Sequence, residues 1–488
     1  MITASINTPD VFTKVLTIIR YQNGTRKVQI SSNLLAPLGF EKGVKVIENH
    51  EGDSNGYTVR LSKDFPLVTH TKRVYSRTYP TRRSNPFELT FETSSKRILS
   101  SIPDYVDKVH VTMTYGLLRI VPILNNVAKR IEAFMKRKRP FSIFGACTSG
   151  VDLHAAKSEG FDIDSVVEYR PAEARDQGKD RTETGMLSVL SNLEVKQAFN
   201  ENIEEIDVEM LKAYYDKYPS SLFTISLNCC EFSNLKPESK KKESFEDGTS
   251  TLDMAYDGLR IIEKLKPPMV LLEQVGGFWT NSDLGRMWSL RLRRWGYHVY
   301  QAVLNGLDYG CNSPRPRFYL FATILPSEFS FPTEEPRRTV PIWNDLVTKY
   351  IGEEVTVVER GKQVTYVGSL RDVSHSKSLM DGLLVGRARV IDRDSLYCPS
   401  LSRSQSQMAK DSVTIEYDGR LLFPSLEFEA EIMGIPDSFD NSINNCEVAS
   451  QIHGQSVDYT LYKKIIQSVK GHILSFLGVQ REQLLSHF

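Results

Sequence analysis

The sequence predicts an α/β protein: a doubly wound sheet with helices on both faces, plus a small β-rich N-terminal domain and an inserted domain. Three observations lead to this prediction. From residue 140 to about 325, apolar strand-like segments alternate with helical ones, as in parallel sheets joined by crossover helices. Residues 11–62 carry mainly strand signals. Residues 326–418 lose the alternation and become polar, serine-rich and strand-like, before 425–488 return to helical patterns.

The same shifts of pattern set the expected domain boundaries. A chain of 488 residues has room for roughly three domains of ordinary size. The expected parts are 1–125 as the β-rich module, 126–139 as a basic helical linker, 140–325 as the core, 326–418 as the inserted region and 419–488 as the C-terminal part of the core.

Composition narrows the class of protein. Hydrophobic residues make up 40% and charged residues 25% of the chain, which is typical of a packed globular protein. The net charge of +1 neither favours nor opposes a polyanionic partner, so local charge must decide that question. The six cysteines lack the spacing of a disulfide framework or a zinc site, which favours a reducing cytoplasm and no metal. No apolar run reaches membrane-spanning length, so we expect no membrane partner.

The N-terminal module contains a characteristic turn. Ser31-Ser-Asn-Leu-Leu35 leads into Gly39-Phe-Glu-Lys-Gly43, between predicted strands. This segment is similar to the AbrB and SymE families of small swapped-hairpin DNA-binding modules, and the resemblance implies a DNA-binding role. The predicted strands are Val15–Ile19, Lys27–Ile30, Val44–Ile47 and Tyr57–Leu61.

A looser copy of this pattern follows about 63 residues later, from Thr93 to Val121. If the copy is real, one chain holds two half-units that a swapped dimer takes from two chains. Chance similarity is the alternative. Basic residues between Lys72 and Arg83 are interleaved with tyrosines, which suits contact with a nucleic-acid backbone. A solvated linker is the alternative for that run.

Two residues in the core carry the chemistry that the sequence suggests. Cys229 follows the apolar strand candidate Leu222–Leu227, and Glu273 follows the strand candidate Met269–Leu272. Open α/β sheets place chemistry at the carboxyl ends of their strands. There a thiolate acts as nucleophile and a carboxylic acid as proton donor. A lone cysteine is more often buried and inert, so the choice depends on the neighbouring motifs. Further strand candidates are Phe141–Phe144, Ser165–Glu168, His298–Leu304 and Phe318–Thr323.

The neighbouring motifs lie within residues 141–325 and 420–480. In this order and at this spacing they resemble the DNA cytosine-5 methyltransferase family. The resemblance implies a Rossmann-like S-adenosylmethionine-dependent methyltransferase sheet, with 326–418 as the target-recognition domain. The motifs, in chain order, are Ser142-Ile-Phe-Gly-Ala-Cys-Thr-Ser-Gly-Val-Asp152, Val166-Val-Glu-Tyr-Arg-Pro171, Asn228-Cys-Cys-Glu-Phe-Ser233, Glu273-Gln-Val275, Ser313-Pro-Arg-Pro-Arg317, Gly434-Ile-Pro-Asp-Ser-Phe439 and Gln451-Ile-His-Gly-Gln-Ser-Val457.

The resemblance also implies a cofactor, S-adenosyl-L-methionine, and a set of residues that bind it. A tight turn after the first strand brings backbone amides to the cofactor, and an acid after the second strand accepts hydrogen bonds from the ribose hydroxyls. The residues expected to bind the cofactor are Phe144, Gly145, Gly150, Glu168, Asn202 and Ser456.

For catalysis, the resemblance implies methyl transfer to carbon 5 of a cytosine flipped out of double-stranded DNA. Cys229 attacks carbon 6 of the ring, and Glu273 stabilises charge at ring N3. Arg315 or Arg317 holds the base carbonyl or a nearby phosphate. In the inserted region, the candidates for contacts with bases or phosphates are Arg387, Arg389 and Arg403.

Three supporting residues depart from the family pattern, namely Asn228 for Pro, Gln274 for Asn and Ser313 for Gln. Every group that performs chemistry remains, which favours a divergent enzyme. A tRNA cytosine-5 methyltransferase and a non-catalytic DNA-binding regulator on the same fold stay as alternatives, as does a modified donor. Restriction-modification roles are common in the family, so we expect a cytoplasmic, DNA-bound protein encoded by a bacterium, phage or plasmid.

Overall fold

The computed structural model describes residues 8–52, 55–64, 71–81, 87–104, 106–123, 126–171, 176, 178–228, 232, 238–247 and 250–485. These residues form two compact units, Met1–Lys129 and Arg130–Phe488.

The first unit consists of two antiparallel sheets around one apolar core. One sheet has the strand order β1-β9-β10-β5-β4-β6 and the other β2-β3-β8-β7. A 3₁₀ turn at Asn33–Leu35 joins β3 to β4, and Ser32 caps it by accepting a hydrogen bond from the Leu34 amide. The elements are β1 (Phe12–Thr17), β2 (Ile19–Arg20), β3 (Arg26–Ser31), β4 (Lys45–His50), β5 (Tyr57–Leu61), β6 (Lys72–Arg73), β7 (Tyr75–Thr78), β8 (Phe87–Thr93), α1 (Lys96–Leu99), β9 (Lys108–Thr114) and β10 (Leu117–Pro122).

The strands of this unit pair with a two-fold pattern. β3 pairs antiparallel with β8 at the centre of one sheet, and β5 pairs antiparallel with β10 at the centre of the other. The outer strands cross over, because β1 pairs with β9 and β6 pairs with β4. Each half of the unit therefore contributes its first strand to the hairpin of the other half. This is the pairing that two swapped half-units in one chain require.

The second unit contains a sheet of order β13-β12-β11-β14-β15-β17-β16. β11 to β15 pair in parallel, whereas β17 lies antiparallel between β15 and β16. The elements up to the end of this sheet are α2 (Asn126–Met135), β11 (Ser142–Ala146), α3 (Val151–Ser158), β12 (Asp162–Val167), α4 (Thr184–Asn192), β13 (Gln197–Phe199), α5 (Val208–Tyr215), β14 (Leu222–Ser226), α6 (Glu238–Glu246), α7 (Met254–Leu265), β15 (Met269–Val275), α8 (Gly277–Thr280), α9 (Leu284–Arg294), β16 (His298–Asn305) and β17 (Pro316–Thr323).

The central strands are apolar and buried because neighbouring elements cover them, as in other parallel sheets. Phe144 of β11 and Phe223 of β14 are fully buried, with ring centroids 5.4 Å apart. Connecting helices return the chain to the same end of the sheet after each parallel strand. The carboxyl ends of β11, β12, β14 and β15 therefore lie along one edge, and the strand order reverses between β11 and β14.

The region between the core and its C-terminal part forms a separate sheet of order β18-β19-β20-β23-β22-β21. The boundary expected at 418 falls in the turn between β22 (Val413–Tyr417) and β23 (Arg420–Phe423). Both strands belong to this sheet, because Leu422 of β23 pairs with Ile415 of β22 and with Asp372 of β20. The elements are β18 (Glu354–Glu359), β19 (Lys362–Val367), β20 (Leu370–Asp372), α10 (Lys377–Leu384), β21 (Arg389–Ile391), β22 (Val413–Tyr417) and β23 (Arg420–Phe423), followed by the helices α11 (Leu426–Ile432), α12 (Cys446–Gln455) and α13 (Tyr459–Leu485).

The C-terminal helices return to the core. The hydroxyl of Tyr459, at the start of α13, lies 3.0 Å from Nδ1 of His154 in α3. Farther along α13, the Lys470 ammonium donates to the carbonyl of Glu159 at 2.7 Å. Residues 425–485 therefore complete the second unit beside α3. In the described ranges, no helix is both long and apolar enough to cross a membrane.

Candidate active site

A cavity of about 630 Å³ lies at the carboxyl ends of β11, β12, β14 and β15. This is the position at which doubly wound sheets bind ligands. The strand ends form one wall, and the segment from Ser400 to Ser404 forms another. α12 and the residues after it, up to Val457, close the third side. The sheet core, the inserted region and the C-terminal helices all contribute to one site.

Glu168 lies at one end of the cavity, directly after β12. Its side chain lines the cavity but is only 8% exposed. The pKa of the Glu168 carboxyl is raised to about 8, mainly by burial and to a smaller extent by the negative charge of Asp152, while a hydrogen bond from the Thr148 backbone opposes the shift. A carboxylate that is buried away from water needs further hydrogen-bond donors to stabilise its charge. A ligand with hydroxyl groups would supply them.

The turn after β11 positions the groups around Glu168. Thr148 accepts a hydrogen bond from the Gly150 amide at 2.9 Å and donates one to Asp152. Cys147 lines the cavity in the left-handed conformation, with φ of 55°. Such a conformation is rare for a side chain other than glycine and is found where the surroundings enforce it. Burial raises the pKa of the Cys147 thiol, so this group remains protonated at neutral pH.

The first turn of α4 packs directly against the Glu168 carboxylate. A Cβ atom at Gly185 would lie 2.8 Å from Cδ of Glu168 and closer still to Oε1. Only glycine leaves this space open, so the helix and the carboxylate approach as closely as backbone permits. Glu168 and Gly185 together form a shaped, acidic pocket at this end of the cavity.

The residues expected to bind the cofactor do not all line the cavity. Glu168 and Ser456 do. Phe144 lies in the core beneath the site, stacked on Phe199 with ring centroids 6.5 Å apart. Asn202 caps a turn by accepting a hydrogen bond from the Glu204 amide at 3.3 Å. None of Phe144, Gly145, Gly150 and Asn202 is among the lining residues, although all are described.

The two glycines have structural roles beside the cavity. A Cβ atom at Gly145 would lie 2.8 Å from side-chain atoms of Leu153. Gly150 begins α3 with φ of 97°, and a Cβ atom there would lie 3.2 Å from Cα of Val189. Gly145 thus allows α3 to pack closely on the sheet, and Gly150 allows the start of α3 to approach α4, which shapes the cavity wall from behind.

Glu273 and Arg317 form an ion pair in the middle of the cavity. Nε of Arg317 lies 3.1 Å from Oε1 of Glu273, and the two side chains are 18% and 12% exposed. Burial raises the pKa of the Glu273 carboxyl, and the positive charges of Arg317 and Arg315 oppose that shift. Glu273 therefore keeps its proton to a higher pH than an exposed glutamate does. A carboxyl of this kind can donate a hydrogen bond to a ring nitrogen.

Arg315 lies at the same cavity, but its guanidinium contacts backbone carbonyls. It donates to Leu401 at 3.1 Å, to Gly454 at 2.9 Å and to Ser456 at 2.7 Å. The side chain is only 2% exposed. Its planar set of donors therefore joins the inserted region to the C-terminal end of α12. These contacts indicate that Arg315 positions the cavity walls.

Gln274 supports the end of β14, from which the chain leads to Cys229. Its Nε2 donates to the Leu227 carbonyl at 2.9 Å, and its Oε1 accepts from the Val275 amide at 2.7 Å. The glutamine is fully buried and lines the cavity floor. Where the family pattern has Asn, the longer side chain here reaches the neighbouring strand end.

Cys229 lies outside the described residues, as does Cys230. The residues on both sides are described. Asn228 lines the cavity. Phe232 packs edge-on against Phe278 of α8, with ring centroids 5.0 Å apart. Of the described residues on either side of Cys229, one therefore lies at the cavity and the other packs against α8.

The arginines of the inserted region differ in position. Arg389 and Arg403 line the cavity, whereas Arg387 is exposed and does not. Nη1 of Arg389 donates to the Ser400 carbonyl at 2.8 Å. No group of three or more His, Cys, Asp or Glu side chains is arranged to hold a metal ion in the part of the chain that the structure describes.

Several residues that line the cavity could not be predicted from the sequence. Thr148 and Gly185 have no distinctive sequence signal, because their roles depend on contact with Glu168 across the fold. Arg170 also lines the cavity, and its Nη2 donates to Asp176 at 2.8 Å. The cluster of basic and acidic side chains around residues 170–181 was detectable as a charge pattern, but its proximity to the site was not.

Comparisons with known proteins agree on one family. Residues 182–471 match a family described as C-5 cytosine-specific DNA methylase. The type II methyltransferase M.BsuFI from Bacillus subtilis is 26% identical over 256 residues, which are 50% of this chain and 56% of that protein. The type II methyltransferase M.NlaX from Neisseria lactamica is 26% identical over 235 residues, which are 47% of this chain and 70% of that protein.

The alignment thus spans little more than half of the length of M.BsuFI. Among solved structures, the methyltransferase EhMeth from Entamoeba histolytica has a TM-score of 0.51 and 14% identity, over 70% of this chain and 99% of that one. This similarity confirms the predicted fold class.

Proposed function

The chain belongs to the family of C-5 cytosine-specific DNA methylases, and from this premise we propose that it methylates carbon 5 of a cytosine in double-stranded DNA. The observation that carries the proposal is the Glu273–Arg317 pair, 3.1 Å apart in one cavity with the residue that precedes Cys229. An acid with a raised pKa beside a cation is suited to bind one edge of a pyrimidine.

In the proposed mechanism, the Cys229 thiolate adds to carbon 6 of the flipped cytosine, and electron density moves to carbon 5. Glu273 donates a hydrogen bond at ring N3 and stabilises the charge that develops there. Arg317 holds Glu273 in place. Positive charge in the site favours the thiolate form of a cysteine. After methylation, carbon 5 loses its proton to water and the bond between sulfur and carbon 6 breaks.

S-adenosylmethionine is the proposed cofactor, and when bound it supplies the electrophilic methyl group. The pocket at Glu168 fits such a ligand. The buried carboxylate can accept hydrogen bonds from two ribose hydroxyls, and Gly185 leaves the space beside it open. Tyr169 and Ser456, which line the cavity as well, are proposed to contact the same ligand.

We also propose that the first unit binds DNA. The two-fold strand pairing and the similarity of its turn to the AbrB and SymE families support this role. The positive charge on the β2-β3-β8-β7 sheet of this unit is partly neutralised, because Lys27 and Arg77 both form ion pairs with Glu92. We therefore expect weak, salt-dependent binding that keeps the enzyme on DNA in the cytoplasm.

One experiment tests the proposed reaction. The protein is expressed in a host that lacks cytosine methylation, and nucleosides from its DNA and tRNA are analysed by mass spectrometry. We expect 5-methylcytosine in DNA, and none with the Cys229→Ser variant. Modification of tRNA alone would favour the tRNA enzyme, a heavier adduct on cytosine would indicate a modified donor, and unmodified nucleic acid would favour the non-catalytic regulator.

A further inference from the structure

The outer face of the six-stranded sheet in the first unit carries a set of exposed basic side chains. Five adjacent strands, in the order β9-β10-β5-β4-β6, each contribute one of them. The apolar side chains that alternate with them along the strands point the other way, into the core. We call this surface the basic face, and its exposed basic residues are Lys108, Arg119, Arg60, Lys45 and Arg73.

The charge of the basic face is not balanced by acidic residues of the same strands. Glu48 is the single acidic residue in the six strands, and it lies on the core side, 2.9 Å from the Lys72 ammonium. Glu51, directly after β4, reaches the face and accepts a hydrogen bond from Thr58 at 2.9 Å. Within the described residues of the first unit, the ion pairs involve none of the five cations of the basic face.

The outer face of the four-stranded sheet differs in charge, although the strand pairing of the unit is two-fold. Lys27 and Arg77 lie 3.2 and 3.3 Å from the same carboxylate oxygen of Glu92. The two arginines of the β2-β3 hairpin are paired as well, with Asp104 and Asp107. The cations of the basic face are therefore the ones available to a polyanion.

The five cations extend across the sheet on a diagonal. From Lys108 on β9 to Lys45 on β4, each step to the next strand also moves farther along the strand direction. Neighbouring strands lie about 4.8 Å apart, so the steps from β9 to β6 cover at most about 19 Å across the sheet. The major groove of B-DNA is about 12 Å wide. The basic face is therefore broad enough to contact both backbones that border one groove.

We propose that the basic face binds the phosphate backbone of duplex DNA, with Arg60 and Arg119 on its two central strands as the main contacts. This inference rests on the proposed DNA-binding role of the first unit, and it assigns that role to one of the two sheets. Arginine suits the contact, because its planar donors can pair with two phosphate oxygens at once. Phosphate contacts carry no sequence information, so the face holds the enzyme on DNA of any sequence.

The test measures how DNA binding by the full-length protein depends on salt. A labelled duplex that lacks the methylated sequence is titrated at KCl concentrations between about 50 and 200 mM. Arg60→Gln/Arg119→Gln removes two phosphate contacts, so the slope of log K against log[KCl] should become less steep by about 1.8. At the lowest salt, binding should weaken by about tenfold or more. Thermal unfolding of this variant should match the wild type, because both side chains are exposed.

Lys27→Gln/Arg77→Gln is the matched control, because it removes the same net charge from the four-stranded sheet. Its salt slope should equal that of the wild type. Glu51→Gln tests the opposite direction. It removes the negative charge beside Thr58 and should tighten binding by about twofold.

A wild-type slope in Arg60→Gln/Arg119→Gln would overturn the basic face. An equal loss in both double variants would overturn it as well, since net charge alone would then explain the binding. A loss confined to Lys27→Gln/Arg77→Gln would assign DNA binding to the four-stranded sheet instead, and tighter binding of an RNA duplex would overturn DNA as the partner. Unmodified DNA in the expression experiment would overturn the proposed methylation, which is a different result, because these slopes do not depend on catalysis.

Discussion

At the scale of single residues, Glu168 shows how burial determines chemistry. An exposed glutamate at the end of β12 would be ionised throughout the neutral range, but burial raises the pKa of Glu168 to about 8. Asp152 nearby has a pKa raised to about 6, again mainly by burial. Without a ligand these two acids carry protons at a pH where ordinary carboxyls do not. Ligand binding is therefore coupled to their ionisation.

We predict that S-adenosylhomocysteine binds more tightly as pH rises from 6.5 to 8.5. The ribose hydroxyls donate to the carboxylate, and the fraction of Glu168 that is ionised increases through its pKa of about 8. Below that pH, the affinity should fall by up to about tenfold per pH unit. Isothermal titration calorimetry in buffers of different ionisation enthalpy measures both the affinity and the proton release.

Glu168→Gln serves as the control for this prediction, because an amide cannot ionise. Its binding should be weaker and should no longer change with pH near 8. The ligand-free wild-type protein should also lose stability as pH rises from about 4.5 to about 8, since a raised folded pKa means that the folded state binds the proton more tightly. A wild-type affinity that is constant between pH 6.5 and 8.5 would contradict the assignment.

Gln274 gives a second prediction at this scale. Gln274→Leu removes the hydrogen bond to the Leu227 carbonyl, leaving that buried carbonyl without this donor, so the free energy of unfolding should fall by about 1–3 kcal/mol. The segment before Cys229 would shift, and a displacement of about 1 Å lowers kcat by roughly 100-fold. KM should change little. Steady-state methylation and urea unfolding measure these effects.

Gln301→Leu is the matched substitution on the same sheet. Gln301 accepts a hydrogen bond from Ser289 at 2.7 Å, but it lies on the exposed side of β16, away from the cavity lining. It should affect stability slightly and leave kcat unchanged. If both variants kept the wild-type kcat, Gln274 would have no positioning role.

At the scale of secondary-structure elements, the first turn of α4 shapes the cofactor end of the cavity. Its position depends on the absence of a side chain at Gly185, which lets the helix approach the Glu168 carboxylate. Arg181, just before α4, pairs with Glu447 of α12 at 2.8 Å and connects the same helix end to the opposite wall. Two walls of the cavity thus meet at this turn.

We predict that Gly185→Ala weakens binding of S-adenosylhomocysteine by at least about tenfold. The added Cβ would overlap the carboxylate, so either Glu168 or the helix must move. Gly471→Ala in α13 is the control, because nothing lies within 4 Å of a Cβ there. That change should be neutral or stabilise the protein by about 0.5–1 kcal/mol. Unaltered affinity in Gly185→Ala would show that the ligand does not use this end of the cavity.

At the scale of the whole molecule, the chain combines two compact units with different architectures. The first contains both halves of a two-fold strand exchange within residues 12–122. The second unit carries the complete cavity, since all of its lining residues lie between Cys147 and Val457.

We predict that residues 1–125, expressed alone, form a monomer that unfolds cooperatively, because each half supplies the strand that the other needs. Analytical ultracentrifugation and thermal unfolding measure the two properties. A fragment that ends at residue 64 should be unfolded or should associate, because β9 and β10, the partners of β1 and β5, are missing. A 1–125 fragment that dimerises through the same strands would contradict the internal exchange.

The sequence determined the fold class, the order of the core strands along the chain and the family, because apolar periodicity and motif order are local properties that tertiary contacts do not change. Glu273, expected directly after a strand candidate, and Glu168, to which the family resemblance pointed, both line the cavity. The pairing of half-units was visible only as an uncertain repeat, since strand exchange depends on contacts between distant segments.

The division of the predicted residues between the cavity lining and its supports depends on tertiary packing. Phe144, Gly145 and Gly150 lie behind the cavity wall, and the Arg315 donors contact carbonyls from two other parts of the chain. The close approach of Gly185 to Glu168 was equally invisible in the sequence. Burial and proximity depend on the packing of segments far apart in the chain, and these two quantities set each pKa and each ligand contact.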